Sequence, residues 1–478
     1  MTQGRRISFA AAMCVLAGGS VLAGFGSAAW ADGPYALVTG RRDPKVVIVD
    51  LAKAMDPANN ATPKAIVSRV RISPDVPAID PAHIDAKFIG VRLVPAQALP
   101  NNIIVTPAGK AYVVDHAGIS RPIDVESGMP HGYPGALTVL DLKKALDPAN
   151  NNTTNAIDGI YSSGGWGPAG VVVTPDGKYA LVANSESAGN EDGAVEIGVI
   201  DLEKKALVRV LRQAMGGGGH LAQTPGHSCA EIALNPALVP HMSPDPNWGC
   251  FPDANGIAYS PRHGGFVFSA NEGTHDVSVI DVGKAIGGAP DWETFRVPVE
   301  RGPWAIATSP DGALVALTNR DDDETDEAGH FISLIDVEKA IAKAPDAEIR
   351  RVLVGTDDPK GESHPFGLAF TPDGSRIVVA NDLAGTVSVV DVAKAVKGDA
   401  QPEIARIPVT TPPNAGTRPR PRGVAVTPDG RFAAVSGGEP NTKAGGMLWL
   451  IDLQALKAVG TVTGVGNEPY LLAIVTGP

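Results

Sequence analysis

Residues 369–392 read AFTPDGSRIVVANDLAGTVSVVDV, a series of apolar, β-branched runs separated by short turn-forming segments. Apolar runs of this length, bounded by turn residues, are typical of buried strands. Thr371-Pro-Asp-Gly predicts a tight turn, because proline presets φ and glycine tolerates a positive φ. The stretch therefore predicts consecutive antiparallel strands.

The same pattern recurs along the whole chain. The turn signature begins at Thr106, Thr174, Ser309, Thr371 and Thr427, with a longer variant, SPRHGG, at Ser260. An aspartate closes the third apolar run of a unit seven times, at Asp50, Asp141, Asp201, Asp281, Asp336, Asp391 and Asp452. Four strands repeated about every 50 to 65 residues are typical of propeller blades.

The turn signature occurs six times and the aspartate signature seven times, and a blade shared by the two ends of the chain accounts for the difference. The C-terminal stretch EPYLLAIVTGP has the pattern of an innermost strand, and YALVTG, KVVIVDL and AIVSRVRI near the N-terminus have the pattern of the other three. We therefore predict an all-β fold, a single seven-bladed β-propeller in residues 32–478. Its four-stranded antiparallel blades would form a ring closed by pairing of the N- and C-terminal strands, which removes exposed sheet edges.

The stretch TPDGSRIVVANDLAGTVSVVDV resembles the YVTN-type β-propeller repeat. That family is related to surface-layer propellers, to the heavy chain of methylamine dehydrogenase and to the propeller of nitrous oxide reductase. The resemblance covers almost all of the chain after the first 31 residues. It implies the fold and leaves the function open, because one fold hosts many activities.

The N-terminus has the order of an export signal. Basic MTQGRR precedes an apolar stretch and a small-residue site, so residues 1–31 are predicted to be cleaved after Ala31. A Sec signal is favoured, and Arg5-Arg6 also resembles a twin-arginine signal. We expect a periplasmic or secreted protein without membrane insertion after cleavage. The formal charge of −12 excludes nucleic acid as an expected partner.

Two cysteines remain after the predicted cleavage, Cys229 and Cys250. In an exported chain, such a pair is predicted to form one disulfide. A thiolate metal ligand is the alternative.

Long insertions fall on one side of the predicted ring. They lie in loops that join the second and third strands of a blade and in the links between blades, and we call that side the loop-bearing face. Nine of the ten histidines map to it, and His263 maps to the opposite face. Imidazole is a common copper ligand, so a metal site is one hypothesis, and histidines that simply collect in loops are the alternative.

The strongest ligand candidates lie close to strand ends. They are His116, His275 and His364, with His131, His220 and His227 as second choices. Resemblance to nitrous oxide reductase implies a histidine-ringed copper cluster on this face, but the chain lacks an adjacent His-His pair and a second, cysteine-rich domain. These differences argue against a cluster of that type and leave a smaller copper site open as a hypothesis. The acidic run from Arg320 to His330 makes calcium a further alternative.

The residue at the start of each first strand is predicted to line the mouth of the channel. Aromatic, cationic and amide groups would converge there, which suits a small polar or anionic ligand. Packing of large side chains between blades is the alternative. The candidates are Asn255, Trp304, Phe366, Arg422 and Tyr470, with Arg301, Arg420 and Glu468 nearby.

These features favour a periplasmic binding or accessory propeller, whose partner is a small ligand or a periplasmic protein. A copper-dependent oxidoreductase is the second hypothesis, and a lactonase-like hydrolase is the third. The sequence identifies no catalytic residue and no substrate.

Overall fold

The structure of the protein, a computed structural model, describes residues 33–72, 100–115, 134–186, 195–213, 252–322, 327–358, 361, 363–413 and 415–477. Seven four-stranded antiparallel blades form a ring, which confirms the predicted all-β propeller. The predicted leader, residues 1–31, lies outside these ranges, as do Cys229 and Cys250.

Twenty-seven strands make up the described part of the blades. In chain order they are β1 (Tyr35–Gly40), β2 (Asp43–Asp50), β3 (Ile66–Arg71), β4 (Pro100–Thr106), β5 (Lys110–Asp115), β6 (Pro134–Asp141), β7 (Ile157–Val173), β8 (Tyr179–Glu186), β9 (Val195–Asp201), β10 (Ala206–Gln213), β11 (Ala254–Ser260), β12 (Phe266–Asn271), β13 (Asp276–Asp281), β14 (Glu293–Pro298), β15 (Pro303–Thr308), β16 (Leu314–Asp322), β17 (Glu327–Asp336), β18 (Glu348–Leu353), β19 (Pro365–Phe370), β20 (Arg376–Asn381), β21 (Thr386–Asp391), β22 (Glu403–Pro408), β23 (Pro421–Val426), β24 (Phe432–Gly437), β25 (Met447–Asp452), β26 (Lys457–Thr463) and β27 (Pro469–Val475).

Blade 1 joins the two ends of the chain, in the order β27-β1-β2-β3. Tyr35 of β1 pairs with Val475 of β27, and Val38 pairs with Leu472. The predicted closure of the ring by N- and C-terminal strands is therefore confirmed.

Blades 2 and 3 share a strand. The first part of β7 pairs with β6 as the outer strand of blade 2, and the second part pairs with β8 as the inner strand of blade 3. The two blades therefore form one seven-stranded sheet. Blades 4 to 7 consist of β11–β14, β15–β18, β19–β22 and β23–β26.

The repeated aspartate ends the third strand and caps the segment that follows it. Asp391 Oδ1 accepts the amide hydrogen of Lys394 at 2.9 Å, and Asp201 accepts that of Lys204 at 2.8 Å. In five blades a short helix begins directly after this cap, which satisfies an amide that the first helical turn leaves unpaired. These helices are α1 (Leu51–Ala54), α2 (Leu142–Leu146), α3 (Val282–Gly287), α4 (Val337–Ile341) and α5 (Val392–Lys397), and short 3₁₀ segments span Pro57–Asn59, Pro148–Asn150 and Arg262–Gly264.

The turn signature is fixed by its first hydroxyl as well as by its proline and glycine. Thr371 Oγ1 donates to Asp373 Oδ1 at 2.6 Å and accepts the Arg376 amide hydrogen at 3.0 Å. The same hydroxyl–aspartate bond occurs at Thr174, Ser309 and Thr427. The Ser or Thr of the signature therefore closes the turn between the first and second strands of a blade.

Apolar faces of neighbouring blades pack together. One cluster contains Leu37 and Ile48 of blade 1 with Val113 and Leu140 of blade 2, all fully buried. Burial of such side chains is the main stabilising contribution to the ring. Within the described ranges, no helix has the length and apolar character needed to cross a bilayer.

Candidate functional site

The first strands of the blades line a central channel, each in contact with the first strand of the next blade. The second residue of each of these strands, or Ala169 in the second part of β7, lies at the loop-bearing end of the channel, which we call the mouth. These seven residues, the inner ring, are Tyr470, Asn101, Ala169, Asn255, Trp304, Phe366 and Arg422.

Close backbone contact between blades narrows the channel. A Cβ atom built on Gly367 would lie 2.2 Å from the carbonyl oxygen of Arg422, and one on Gly423 would lie 2.3 Å from that of Tyr470. Such distances exclude a side chain, so glycine after the inner-ring residue lets the next strand approach directly. Thr318 Oγ1 also donates to the Phe366 carbonyl of the next blade at 3.0 Å.

A residue with left-handed backbone precedes the inner ring by two positions in six blades. In two blades this residue is a glycine, Gly167 or Gly302, each with a φ of 58°. Non-glycine residues occupy the other four positions, where a left-handed φ costs roughly 1–2 kcal/mol each. They are Asp253 (φ 50°), His364 (φ 54°), Arg420 (φ 45°) and Glu468 (φ 55°). All four carry polar, titratable side chains at the mouth, and strained residues of this kind cluster at functional sites.

Asp382 is the centre of one charged group at the mouth. Its carboxylate is 1% exposed and accepts two hydrogen bonds of 2.6 Å from Arg420. Arg422 Nε lies 3.7 Å away, and His364 Nδ1 lies 3.3 Å away. Burial alone would raise the pKa of Asp382, but the hydrogen bonds from Arg420 and His364 and the charge of Arg422 outweigh it and hold the pKa well below its usual range.

Glu468 links blade 1 to blade 7 in a second charged group. Its side chain accepts a hydrogen bond from Arg422 Nη1 at 3.0 Å and another from Arg42 Nε at 2.7 Å. Arg422 thus lies between two carboxylates and is itself 7% exposed.

Arg320 and Glu272 form the third charged group. Arg320 Nη2 donates to Glu272 Oε1 at 2.5 Å, and Asn255 Nδ2 donates to the other carboxylate oxygen at 2.6 Å. Glu272 and Asn255 are both buried. The pair joins blade 5 to blade 4, so all three groups bridge neighbouring blades.

Three aromatic rings line the same side of the mouth. Trp304 and Phe366 lie 5.6 Å apart between centroids, and Phe366 meets Tyr470 edge to face at 5.0 Å. The guanidinium of Arg320 stacks 3.9 Å above the Trp304 ring, and that of Arg422 lies 5.8 Å from Tyr470. Desolvated cation–π contacts of this type fix the orientation of the guanidinium groups.

The mouth is asymmetric. Blades 5, 6, 7 and 1 contribute the large inner-ring side chains, and blades 2, 3 and 4 contribute Asn101, Ala169 and Asn255. A cavity of about 190 Å³ lies in the channel, and these three small residues and Trp304 are part of its lining.

The structure places the predicted mouth residues together. Phe366, Arg422, Tyr470, Trp304 and Asn255 belong to the inner ring. Glu468 forms an ion pair with Arg422 of that ring, and Arg420 forms one with Asp382. Arg301 is 9% exposed in the link between β14 and β15. Whether these residues bind a ligand stays a prediction.

Two of the predicted histidine ligands lie in the described part of the chain. His275 is 1% exposed, and its Nδ1 accepts the Gly302 amide hydrogen at 3.3 Å, whereas His364 lies beside Asp382. His116, His131, His220 and His227 lie outside the described residues. Among the residues that the structure describes, no group of three or more His, Cys, Asp or Glu side chains is placed to hold a metal.

Sequence reasoning missed Glu272, Arg320 and Asp382. Each directly follows an asparagine of the second strand of its blade: Asn271 and Asn381 end β12 and β20, and Asn319 lies within β16. The aligned triplets ANE, TNR and AND carried this signal. His116 holds the same position after β5 by alignment, outside the described residues.

No family model matches the sequence, and no curated protein matches it. Solved structures do match. A periplasmic gluconolactonase of Pseudomonas aeruginosa is 16% identical, with a TM-score of 0.57 over 93% of this chain and 100% of that one.

Two candidate 6-phosphogluconolactonases are also similar. The protein from Bacteroides uniformis is 12% identical, with a TM-score of 0.53 over 92% of this chain and 99% of that one. The protein from Bacteroides fragilis is 14% identical, with a TM-score of 0.53 over 94% of this chain and 100% of that one. At these identities the likeness shows the fold alone: a seven-bladed β-propeller with lactonase-type structural neighbours.

Proposed function

We propose that the protein is an exported binding propeller that takes a small organic carboxylate at the mouth of its channel. The observation that carries the proposal is the group of three arginines on one side of the mouth, buried Arg422 and partly buried Arg320 and Arg420, of which Arg320 and Arg422 lie against aromatic rings. The leader pattern in residues 1–31 supports export, as does the likeness to a protein described as periplasmic. The repeat pattern supports membership of the YVTN-type repeat family.

The local charge supports an anionic ligand. The three charged groups contain four arginines, Arg42, Arg320, Arg420 and Arg422, against the three carboxylates of Glu272, Asp382 and Glu468. Asp253 adds a fourth carboxylate at the mouth, and Arg41, whose guanidinium lies 5.4 Å from the centre of the Tyr470 ring, adds a fifth arginine. The mouth therefore carries a local excess of positive charge in a chain whose formal charge is −12. A cationic mouth in an acidic protein attracts small anions.

Arg320 is the best placed of these arginines to receive the ligand. Its guanidinium is already oriented by the Trp304 ring, and its side chain is 19% exposed. A planar guanidinium held in one orientation pairs with a carboxylate through two parallel hydrogen bonds at little further entropic cost. The ligand carboxylate would compete with Glu272 for this group.

Isothermal titration with a panel of monocarboxylates and dicarboxylates of two to six carbons tests the proposal. The wild type should bind at least one acid saturably, and Arg320→Gln should weaken that affinity by about tenfold or more. Arg262→Gln on the opposite face, where Arg262 contacts Glu338 at 3.4 Å, is the matched control and should leave the affinity unchanged. If no acid binds, or if both variants behave alike, the proposal is wrong.

One contact favours a second candidate function, the hydrolysis of a lactone. A carboxylate 3.3 Å from His364 Nδ1 is the arrangement that orients an imidazole as a general base. The structural neighbours described as lactonases make the lactone the natural substrate class to test. In the step, His364 would take a proton from water, the water oxygen would attack the lactone carbonyl, and the ring C–O bond would break as the leaving alkoxide takes that proton back from His364.

The hydrolase candidate is tested with glucono-1,5-lactone, after subtraction of its spontaneous hydrolysis. The wild type should accelerate ring opening, and His364→Gln should lower kcat by about a hundredfold or more. His263→Gln on the opposite face should have no effect. A wild type that does not exceed the spontaneous rate rejects this candidate and leaves the binding proposal standing.

A further inference from the structure

Arg41 is an arginine of the mouth that lies outside the three charged groups. It directly follows β1, the second strand of blade 1. The residue before it pairs with the first residue of the inner strand β27, and the residue before Arg320 pairs in the same way with the first residue of β15. The two arginines therefore hold equivalent positions in blades 1 and 5. The Arg41 amide also donates to the Glu468 carbonyl at 3.0 Å, which ties this position to the mouth.

The guanidinium of Arg41 has no counter-ion among the residues that the structure describes. The four arginines of the charged groups each lie 3.0 Å or less from a carboxylate oxygen, in the pairs Arg42–Glu468, Arg320–Glu272, Arg420–Asp382 and Arg422–Glu468. Arg41 is partly buried, so its charge has lost part of its hydration without gaining an ion pair from these residues. A guanidinium in this state binds an anion more readily than one that must first release a carboxylate.

Arg41 lies over the same row of aromatic rings as Arg320. Its guanidinium carbon is 5.4 Å from the centre of the Tyr470 ring, and that of Arg320 is 5.7 Å from the centre of the Phe366 ring. The two rings are in contact, at 5.0 Å between centroids. Burial raises the pKa of the Tyr470 hydroxyl, and the charges of Arg41, Arg320 and Arg422 oppose that rise. The guanidinium groups of Arg41 and Arg320 therefore border one part of the mouth.

We propose that Arg41 binds a second carboxylate of the ligand, which makes small dicarboxylates the ligand class of the mouth. The inference rests on the proposed function, in which Arg320 receives the first carboxylate. It adds a residue that selects among acids, because Arg320 alone does not distinguish a monocarboxylate from a dicarboxylate. At Arg320 the ligand competes with Glu272, whereas at Arg41 no carboxylate of the described residues competes with it.

Charge separates the candidate ligands. The three charged groups contain one arginine more than they contain carboxylates, and Arg41 adds a further positive charge beside them. Asp253, the fourth carboxylate of the mouth, directly precedes β11 of blade 4. A monocarboxylate would leave Arg41 without an anion, and an amino acid would bring an ammonium group close to a guanidinium, which is repulsive. A dicarboxylate supplies one negative charge to each of the two guanidinium groups.

The test compares three dicarboxylates with their half-amides by isothermal titration. The dicarboxylates are succinate, glutarate and adipate, and in each half-amide an uncharged amide of nearly the same size replaces one carboxylate. The wild type should bind at least one dicarboxylate about tenfold more tightly than its half-amide. Arg41→Gln should bind the two equally. A general disturbance of the fold by the substitution affects both ligands and cancels in the ratio.

Two further variants control for the charge and for the position of Arg41. Arg41→Lys keeps the charge but loses the planar fork of donors, so it should retain part of the preference. Arg262→Gln on the opposite face should retain all of it. Equal affinities of every dicarboxylate and its half-amide in the wild type, or a preference that survives in Arg41→Gln, would overturn the inference. A lysine variant without any preference would overturn it as well, because positive charge would then not be what the site recognises.

Arg320→Gln, measured with the same ligands, separates this inference from the proposed function. If dicarboxylates and half-amides bind equally and depend on Arg320, the proposed function stands and the inference is wrong. If a dicarboxylate is preferred and depends on Arg41 but not on Arg320, the Arg41 site stands and the carboxylate site at Arg320 is wrong. If none of the acids binds, both are wrong.

Discussion

Arg420 binds both oxygens of Asp382 at 2.6 Å although its own backbone is held in the left-handed region, at φ 45°. The pair joins blade 7 to blade 6, and Asp382 is 1% exposed. A bidentate ion pair of this geometry positions a guanidinium firmly, so the strain of the backbone and the position of the side chain belong together.

Two substitutions at position 420 separate the backbone cost from the ion pair. Arg420→Ala and Arg420→Gly both remove the guanidinium, and both should destabilise the fold because Asp382 loses its best partner. Glycine accepts the left-handed backbone, so the glycine variant should be more stable than the alanine variant by about 1 kcal/mol. Urea unfolding of the two variants measures the difference, and equal stabilities would show that the backbone is not strained.

Loss of the C-terminal strand should open the ring. Deletion of residues 470–478 removes most of β27 and with it Tyr470, 2% exposed, and Leu472, 7% exposed. Burial of these two side chains alone contributes about 3–6 kcal/mol. Thermal unfolding should show a large loss of stability, whereas deletion of 476–478, which lie beyond β27, should change little. An unchanged melting temperature in the longer deletion would contradict the pairing of the two ends.

The pairing of β1 with β27 could be predicted because each strand carries its own apolar run and because the sequence has one turn signature fewer than it has aspartate signatures. The caps and turns could be predicted for the same local reason, since their chemistry lies within a few residues of Asp391 or Thr371. The continuity of β7 could not. The stretch YSSGGWGPAG within it contains four glycines and a proline, which indicate a loop, and only pairing with β6 and β8 shows it to be strand.

Asp276 should give the fold an unusual dependence on pH. Burial raises the pKa of this carboxyl to about 6, although the charge of Arg296 and hydrogen bonds from Asn271 and Thr274 oppose the rise. The native state therefore holds a proton that the unfolded state releases near pH 4. Unfolding free energy should fall as the pH rises from about 4 to about 6, by up to about 3 kcal/mol from this group.

Asp276→Asn isolates that contribution, because the amide keeps an oxygen for Asn271 and Thr274 and does not titrate. Relative to the wild type, the variant should gain stability between pH 4 and pH 6 and keep a constant offset above that range. Denaturant unfolding at closely spaced pH values measures it. A difference that does not vary with pH would contradict the raised pKa.

The aspartate signature should contribute through its cap. Asp391→Ala removes the acceptor of the Lys394 amide and should destabilise the protein by about 1 kcal/mol. Asp391→Asn keeps an oxygen at the cap and should lower the free energy of unfolding by only a few tenths of ~1 kcal/mol. Lys397→Ala, an exposed position in the same helix, is the neutral control. Equal losses in the alanine and asparagine variants would reject the capping role.

The copper hypothesis is tested by metal content after copper loading and desalting. If the loop histidines bind copper, His116→Ala, His275→Ala and His364→Ala should each lower the bound metal, and His263→Ala should not. Binding should weaken as the pH falls through about 6, because protonated imidazole does not ligate. Retention of less than about a tenth of an equivalent by the wild type would reject the oxidoreductase hypothesis.

Much of the inner ring could be read from the alignment of the blades, since Phe366 and Arg422 precede equivalent glycines. The partners of these residues could not. Asp382 and Glu272 directly follow the second strands of other blades, and only the curvature of the ring brings them to Arg420 and Arg320. The cavity likewise depends on which blades carry small residues on one side of the channel.

Because blades 2 and 3 share the strand β7, no linking loop separates these two blades. In a propeller whose blades are separate sheets, each blade can open by itself at a free energy below that of global unfolding. Here residues 157–173 are hydrogen-bonded into both sheets, so fraying of one blade must disturb the other. Asn101 and Ala169, on the inner strands of this pair, are therefore carried by one cooperative unit that is about twice the size of any other blade.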